Sequence, residues 1–166
     1  MKIDFTRKAI FVKNRHLNLD PIDSNFPRVV SRNSVRIIFT CAAVNEVNIY
    51  ATDIKYAYLQ APISEKHFIR CGPEIPFEMQ GRISLIKRAL YGDKFAGSDY
   101  WKHMQTCMEY LVFFSCKSGP NLWMREGVKP DENKYWEYVL LCVDNSLYFL
   151  CNPKGVLTNE LGKFGQ

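Results

Sequence analysis

What this sequence lacks narrows it first. No apolar run approaches the ~18 residues of a membrane-spanning helix. The longest uncharged apolar run is Tyr138 to Val143, and Asp144 breaks it. The first twenty residues carry Lys2, Arg7, Lys8, Lys13 and Arg15 with no apolar stretch behind them, so no secretory signal is expected. There is no CxxC pair, which removes the usual spacing of a thiolate zinc site. The cysteines (Cys41, Cys71, Cys107, Cys116, Cys142 and Cys151) sit within apolar runs, and with no export signal they read as free buried thiols rather than disulfides. His16, His67 and His103 are far apart and form no HxxxH pair, so surface or packed roles are expected for them. No GxSxG elbow, GxGxxG turn or phosphate loop is present, nor any internal repeat or low-complexity tract.

What is present is an ordinary globular balance. The 166 residues are 47% apolar and 23% charged, and Phe 11, Tyr 9 and Trp 3 supply the bulk for a core. That length suits one domain or a piece of a larger one. The net charge of +5 permits a polyanionic partner without demanding one.

Hydrophobic periodicity sets out the elements. Ala9 to Val12 reads as a short strand in a basic frame, and His16 to Pro27 as loop. Ser31 to Val47 reads as a helix, capped by Ser31 or Ser34, with Val35, Ile38, Phe39, Ala42 and Val47 on one face. Ile49 to Asp53 reads as a strand, and Tyr56 to Leu59 as a turn or short helix. His67 to Arg70 and Ile83 to Ile86 read as strands about a Gly/Pro loop. Ser98 to Phe114 reads as a second helix, with Trp101, Met104, Met108 and Leu111 in one stripe. Asn121 to Met124 reads as a strand, and Tyr135–Val143 and Leu147–Cys151 as a hairpin about Asp144-Asn145. A helix begins at Pro153 and extends toward Phe164. Strands and helices mix without βαβ alternation, so the class is α+β.

Two carboxylates sit in apolar surroundings: Asp53 at a strand end and Asp144 at the hairpin tip. Singly, each reads as a cap or turn residue. Together they suggest a site for a hard divalent cation, since Mg²⁺ takes oxygen ligands. Two such ions would align an attacking 3′ oxygen and a leaving pyrophosphate.

Three strings in order then carry a resemblance: Asp53-Ile54-Lys55-Tyr56-Ala57-Tyr58-Leu59, Arg88-Ala89-Leu90-Tyr91-Gly92, and Tyr138-Val139-Leu140-Leu141-Cys142-Val143-Asp144. Val29-Val30-Ser31-Arg32 and Tyr135 to Tyr138 add to it. The chain resembles the reverse transcriptase domain of copia-type retrotransposons from about Phe5 to Leu161. The resemblance implies an RNA-directed DNA polymerase with right-hand fingers and palm, an antiparallel sheet with packed helices, and no thumb. It implies a single partial domain over 1–166, with 1–48 and 60–95 mostly fingers and 49–59 and 96–166 mostly palm. It further implies two Mg²⁺ held by Asp53, the Ile54 carbonyl and Asp144. Tyr58 would lie under the incoming sugar, and core packing is its other reading. Tyr91-Gly92 would lie against the nascent base pair, with Lys8 also at the nucleotide. The implied partners are an RNA or DNA template with primer, dNTP, and the RNase H and integrase of a parent polyprotein, in a cytoplasmic particle or the nucleus.

Departures from the family are as informative. Asn145 stands where the second hairpin aspartate is usual, removing one negative charge, and Cys142 replaces the preceding aromatic. Ile10 stands where a phosphate-contacting Arg is usual, leaving Arg7, Lys8 and Lys13 nearby. Asp93 follows Gly92 where an apolar residue is usual. The thumb would follow Gln166. These features fit a decayed or fragmentary copy with weakened chemistry. The alternative is a non-catalytic nucleic-acid-binding remnant or an unselected product. Arg82, Lys87 and Arg88, and Arg28, Arg32 and Arg36, are further candidates for a nucleic-acid backbone, with Tyr100, Tyr135 and Trp136 for stacking; a core or solvated-face role is their plainer reading.

Overall fold

The computed structural model describes Val12 and residues 30–117, 119–143 and 145–156. These fall in two compact units, one of residues 30–57 and 101–156, the other of Val12 and residues 58–100. The expected strand at 9–11, the loop at 16–27 and the helix beyond Val156 lie outside the described residues.

In the first unit, helix α1 (Arg32–Val44) starts where the Ser31 hydroxyl accepts the Ser34 amide at 3.0 Å. Its end falls three residues short of the expected Val47. Glu46 takes φ 51°, and the Glu46 and Val47 amides donate back to Ala43 and Ala42. This is a Schellman stop, with a glutamate in the left-handed position that usually favours glycine. Helix α3 (Ala96–Tyr110), which belongs to this unit only from Trp101 onward, ends in the same way. Val112 takes φ 62°, its amide donates to the Glu109 carbonyl, and the Phe113 amide donates to the Met108 carbonyl. Phe114, expected as helix, instead opens a strand. Periodicity alone misses both stops, because neither carries the glycine that signals them.

Strands β1 (Asn48–Asp53), β4 (Phe114–Cys116), β5 (Gly119–Val128), β6 (Lys134–Cys142) and β7 (Asn145–Leu150) form one antiparallel sheet in the order β1-β7-β6-β5-β4. Cross-strand partners share a face. One face carries Leu122, Leu140 and Phe149, which bury Ile38 and Ala42 of α1, with Val35, Val47, Tyr138 and Leu147 packed around them. The Phe39 ring meets Phe149 edge-on at 5.3 Å. The other face carries Trp123, Val139, Leu141 and Tyr148, all buried. There Trp101 Nε1 of α3 donates to Asn121 Oδ1 at 3.0 Å, and Arg125 Nη1 donates to the Leu111 carbonyl at 2.9 Å. Arg125 also pairs with the buried Glu137 at 2.6 Å. The Tyr135 hydroxyl donates to Glu137 at 2.7 Å and accepts the Cys151 amide at 2.9 Å. Gly127, opposite Tyr135, leaves the room this network needs, since a Cβ there would lie 2.7 Å from Glu137 Cγ. A single turn, α4 (Pro153–Gly155), follows β7.

In the second unit, α2 (Ala57–Gln60), which straddles the boundary, leads into β2 (Pro62–Arg70), which pairs with β3 (Ile83–Arg88) as a two-stranded ribbon. Both strands are longer than expected. The Asp99 carboxylate, buried in the first turns of α3, accepts the Ser64 amide at 3.0 Å.

Helices with an antiparallel sheet make the protein α+β, as expected. All six cysteines are free. Two of them, Cys71 and Cys107, are fully buried, and burial pushes the Cys107 thiol up to about 12. No helix among the described residues is long and apolar enough to cross a membrane.

Candidate functional site

The site is built from the end of β1 and the start of β7. Asp53 is the last residue of β1, and the ladder sets it opposite Asn145, the first residue of β7. Their side chains therefore leave the same face, and both residues are exposed. Asn145 also pairs with Cys142 across the hairpin. The expected turn at Asp144-Asn145 therefore does not include Asn145, which is in the strand. Strand pairing wins over the turn preference of Asn because β7 is held on both sides, by β1 and by β6.

Asp144 and Lys8 lie outside the described residues. Ile54 follows Asp53 directly and is half-buried. What β1 and β7 bring together is one carboxylate and one amide oxygen. Both are hard donors of the kind Mg²⁺ takes, with one negative charge between them. Among the described residues, no group of three or more His, Cys, Asp and Glu side chains is placed to hold a metal ion.

Behind this pair lies a feature that sequence reading missed. Thr52 Oγ1 and Ser146 Oγ are 2.8 Å apart, and Ser146 Oγ donates to the Tyr148 hydroxyl at 3.2 Å. Ser146 and Tyr148 are almost wholly buried. These hydroxyls occupy the opposite face of the sheet from Asp53 and Asn145, one residue away along each strand. Burial and the neighbouring Cys107 push the Tyr148 phenol upward, while the Ser146 and Thr52 hydroxyls oppose that shift. The available signal was a hydroxyl next to each candidate residue, but only the register shows that the hydroxyls meet.

The nucleotide-side candidates belong to the other unit. The Tyr58 ring stands edge-on to Tyr91 at 4.8 Å and to Tyr100 at 5.7 Å. It is therefore packed among aromatics and half-buried. Gly92 takes φ 84°, a conformation in which a side chain would be strained. Tyr91 also forms a parallel backbone bridge with Val12. Asp93, the unexpected acid, is buried. Its Oδ1 accepts the Phe95 amide at 3.2 Å, and its Oδ2 lies 3.8 Å from His67 Nε2.

An antiparallel sheet with a carboxylate at the end of one strand, facing a hairpin, defines an α+β domain with a candidate polar site at the sheet's end. Comparison with known proteins places the chain more narrowly. It is 31% identical over 113 residues to the transposon Ty1-BL Gag-Pol polyprotein of Saccharomyces cerevisiae, a match covering 67% of this chain. The chain spans about 6% of the length of that relative. The likeness makes this a retrotransposon-related region. No family model matches the chain, and no solved structure matches it.

Proposed function

We propose that the chain is a fragment of a retrotransposon reverse transcriptase, covering fingers and palm, with a weakened two-metal site. The observation that carries this reading is the cross-strand pairing of Asp53 with Asn145 beside the β6–β7 hairpin, in a chain similar to a Gag-Pol polyprotein. Asp53, the Ile54 carbonyl and Asp144 are the assigned metal ligands, and Asn145 supplies a neutral oxygen where a second carboxylate would stand. Mg²⁺, when bound, would stabilise the charge that develops as a primer 3′-hydroxyl attacks the α-phosphate of a dNTP. The chain's own part is to hold the Asp53 and Asn145 side chains on one face of the sheet. Tyr58, Tyr91, Gly92 and Lys8 are assigned to the incoming nucleotide. The proposed partners are a template with primer and the remaining polyprotein.

Replacing a carboxylate by an amide lowers the attraction for a dication, so catalysis is attenuated on this reading. The same substitution favours a second reading, a nucleic-acid-binding remnant with no turnover. The test is Asn145→Asp. A ligand that binds only the folded state raises its melting temperature. Asn145→Asp is expected to enlarge the Mg²⁺-induced rise and to increase primer extension. An Mg²⁺ response identical to that of the parent chain overturns the metal assignment. Tighter Mg²⁺ binding without extension favours the remnant.

A further inference from the structure

We propose that two copies of this chain associate through the β2–β3 ribbon, each seating the loop that joins its strands on the outer face of the other. The loop is a braced knob. The Ile75 amide donates to the Gly72 carbonyl, the Met79 amide to Pro76, and the Gly81 amide to Cys71. Gln80 Nε2 donates to the Ile75 carbonyl at 2.9 Å. Pro73 and Pro76 fix two further backbone angles. On this frame Phe77, in a single 3₁₀ turn (Phe77–Met79), is 85% exposed. Glu74 and Glu78 stand on either side of it in the chain, also exposed, and residues 73–80 carry no base. A ring held out to water by these bonds is an anchor whose ordering cost is met before any partner arrives.

The face that fits it lies on the same ribbon. The ladder runs regularly from His67↔Ile86 to Arg70↔Ile83, and burial alternates along it. His67, Ile69, Ser84 and Ile86 are covered. Phe68 and its cross-strand partner Leu85 form an exposed apolar centre, with Ile83 beside them. Lys66 and Lys87 stand at one end of that centre and Arg70 at the other, all exposed. Glu65, the one acid in either strand, belongs to the other side of the pleat and lies 3.6 Å from His67. An apolar centre with a charged rim is the anatomy of a protein interface, and here the rim is basic. The knob brings an aromatic anchor flanked by two carboxylates, so the ring meets the apolar centre and the glutamates meet the cations. Because Phe77 stands in water, it does not occupy the face of its own ribbon. The occupant with the matching chemistry is a second copy. An arrangement in which each copy gives a knob and takes one closes at a two-fold dimer.

The test is sedimentation equilibrium of the full chain over a range of concentration and salt. The parent chain is expected to dimerise, more weakly as salt rises, because salt screens the charged rim. Phe77→Ala is expected to weaken the dimer at least ~30-fold, as for a buried aromatic hot spot. Two charge reversals examine the pairing itself. Glu74→Lys/Glu78→Lys reverses the knob, and Lys66→Glu/Arg70→Glu/Lys87→Glu reverses the socket. Each is expected to be monomeric alone, since its knob and socket then share a sign. Mixed in equal amounts they are expected to form a heterodimer, because each knob again meets a socket of opposite charge. All the substituted side chains are exposed, so melting temperatures are expected to stay close to that of the parent chain. A monomeric parent chain overturns the proposal, whatever acidic protein or nucleic acid the face then takes. So does a dimer that Phe77→Ala or either reversal leaves intact, and so does a mixture that stays monomeric. The measurement needs neither Mg²⁺ nor turnover, and the interface shares no residue with the metal site. A missing Mg²⁺ response therefore sinks the metal assignment alone, and a missing dimer sinks this inference alone.

Discussion

The two sheets of this protein are built on opposite terms. The five-stranded sheet is packed on both faces, by α1 on one and by α3 on the other. The β2–β3 ribbon is covered on one face and presents Phe68, Leu85 and Ile83 to water on the other. In the first, apolar residues specify structure, because each inward side chain meets a buried partner. In the second, Phe68, Ile83 and Leu85 stay 63%, 67% and 45% exposed, so the packing among the described residues does not account for them. A two-stranded ribbon is marginal in water without a covered face. The covered face of this one, with Ile69 and Ile86, answers that need, and the outer face is left available.

This contrast can be tested. Leu140 is fully buried between α1 and the central strands. Leu140→Ala should cost about 2–5 kcal/mol in chemical denaturation, whereas Phe68→Ala should stay within about 0.5 kcal/mol, as for an exposed substitution. Comparable losses would mean that the ribbon's outer face is structural after all.

A smaller effect is expected behind the candidate site. Thr52→Val keeps the shape and removes the hydroxyl that meets Ser146. It should destabilise by about 1 kcal/mol, as for one lost hydrogen bond, and it should reduce the Mg²⁺-induced melting shift, while Thr52→Ser retains both. A stability loss with an undiminished Mg²⁺ response would limit the hydroxyls to holding β1 against β7.

The smallest effect falls where the well-packed unit carries local strain. Val112 is exposed and left-handed, a backbone that costs an L-residue roughly 1–2 kcal/mol. Val112→Gly should therefore raise stability by about 1 kcal/mol, less the entropy a glycine loses on folding. No gain would show that Val112 makes a compensating contact.

Much of this architecture was legible in the sequence, and what was not has definite causes. The α1 face through Ile38 and Ala42, the α3 stripe through Met104, Met108 and Leu111, and the central hairpin all follow from periodicity. Helix ends were misread where Glu46 and Val112 adopt a conformation their residue types disfavour. The turn excludes Asn145 because that residue is held between two strands, which outweighs its turn preference. Of the candidate site, the types and spacing of Asp53 and Asn145 could be read directly. The Thr52–Ser146–Tyr148 cluster could not, since it joins residues 94 apart in the chain. The ribbon's bare face was equally hidden, because exposure of Phe68 is a property of the fold.

The pairing of β1 with β7 also works as a parity rule. Side chains alternate along a strand, so inserting or deleting one residue between Asn48 and Thr52 would turn Asp53 to the face that packs against α3. It would bring a hydroxyl or an apolar group to the position beside Asn145 instead. A two-residue change would restore the face but move the carboxylate roughly 6.6 Å along the sheet. The candidate site thus tolerates substitution along β1 far better than any change in its length, and indels in these six residues are the lesions that would erase it while leaving the composition of the strand almost untouched.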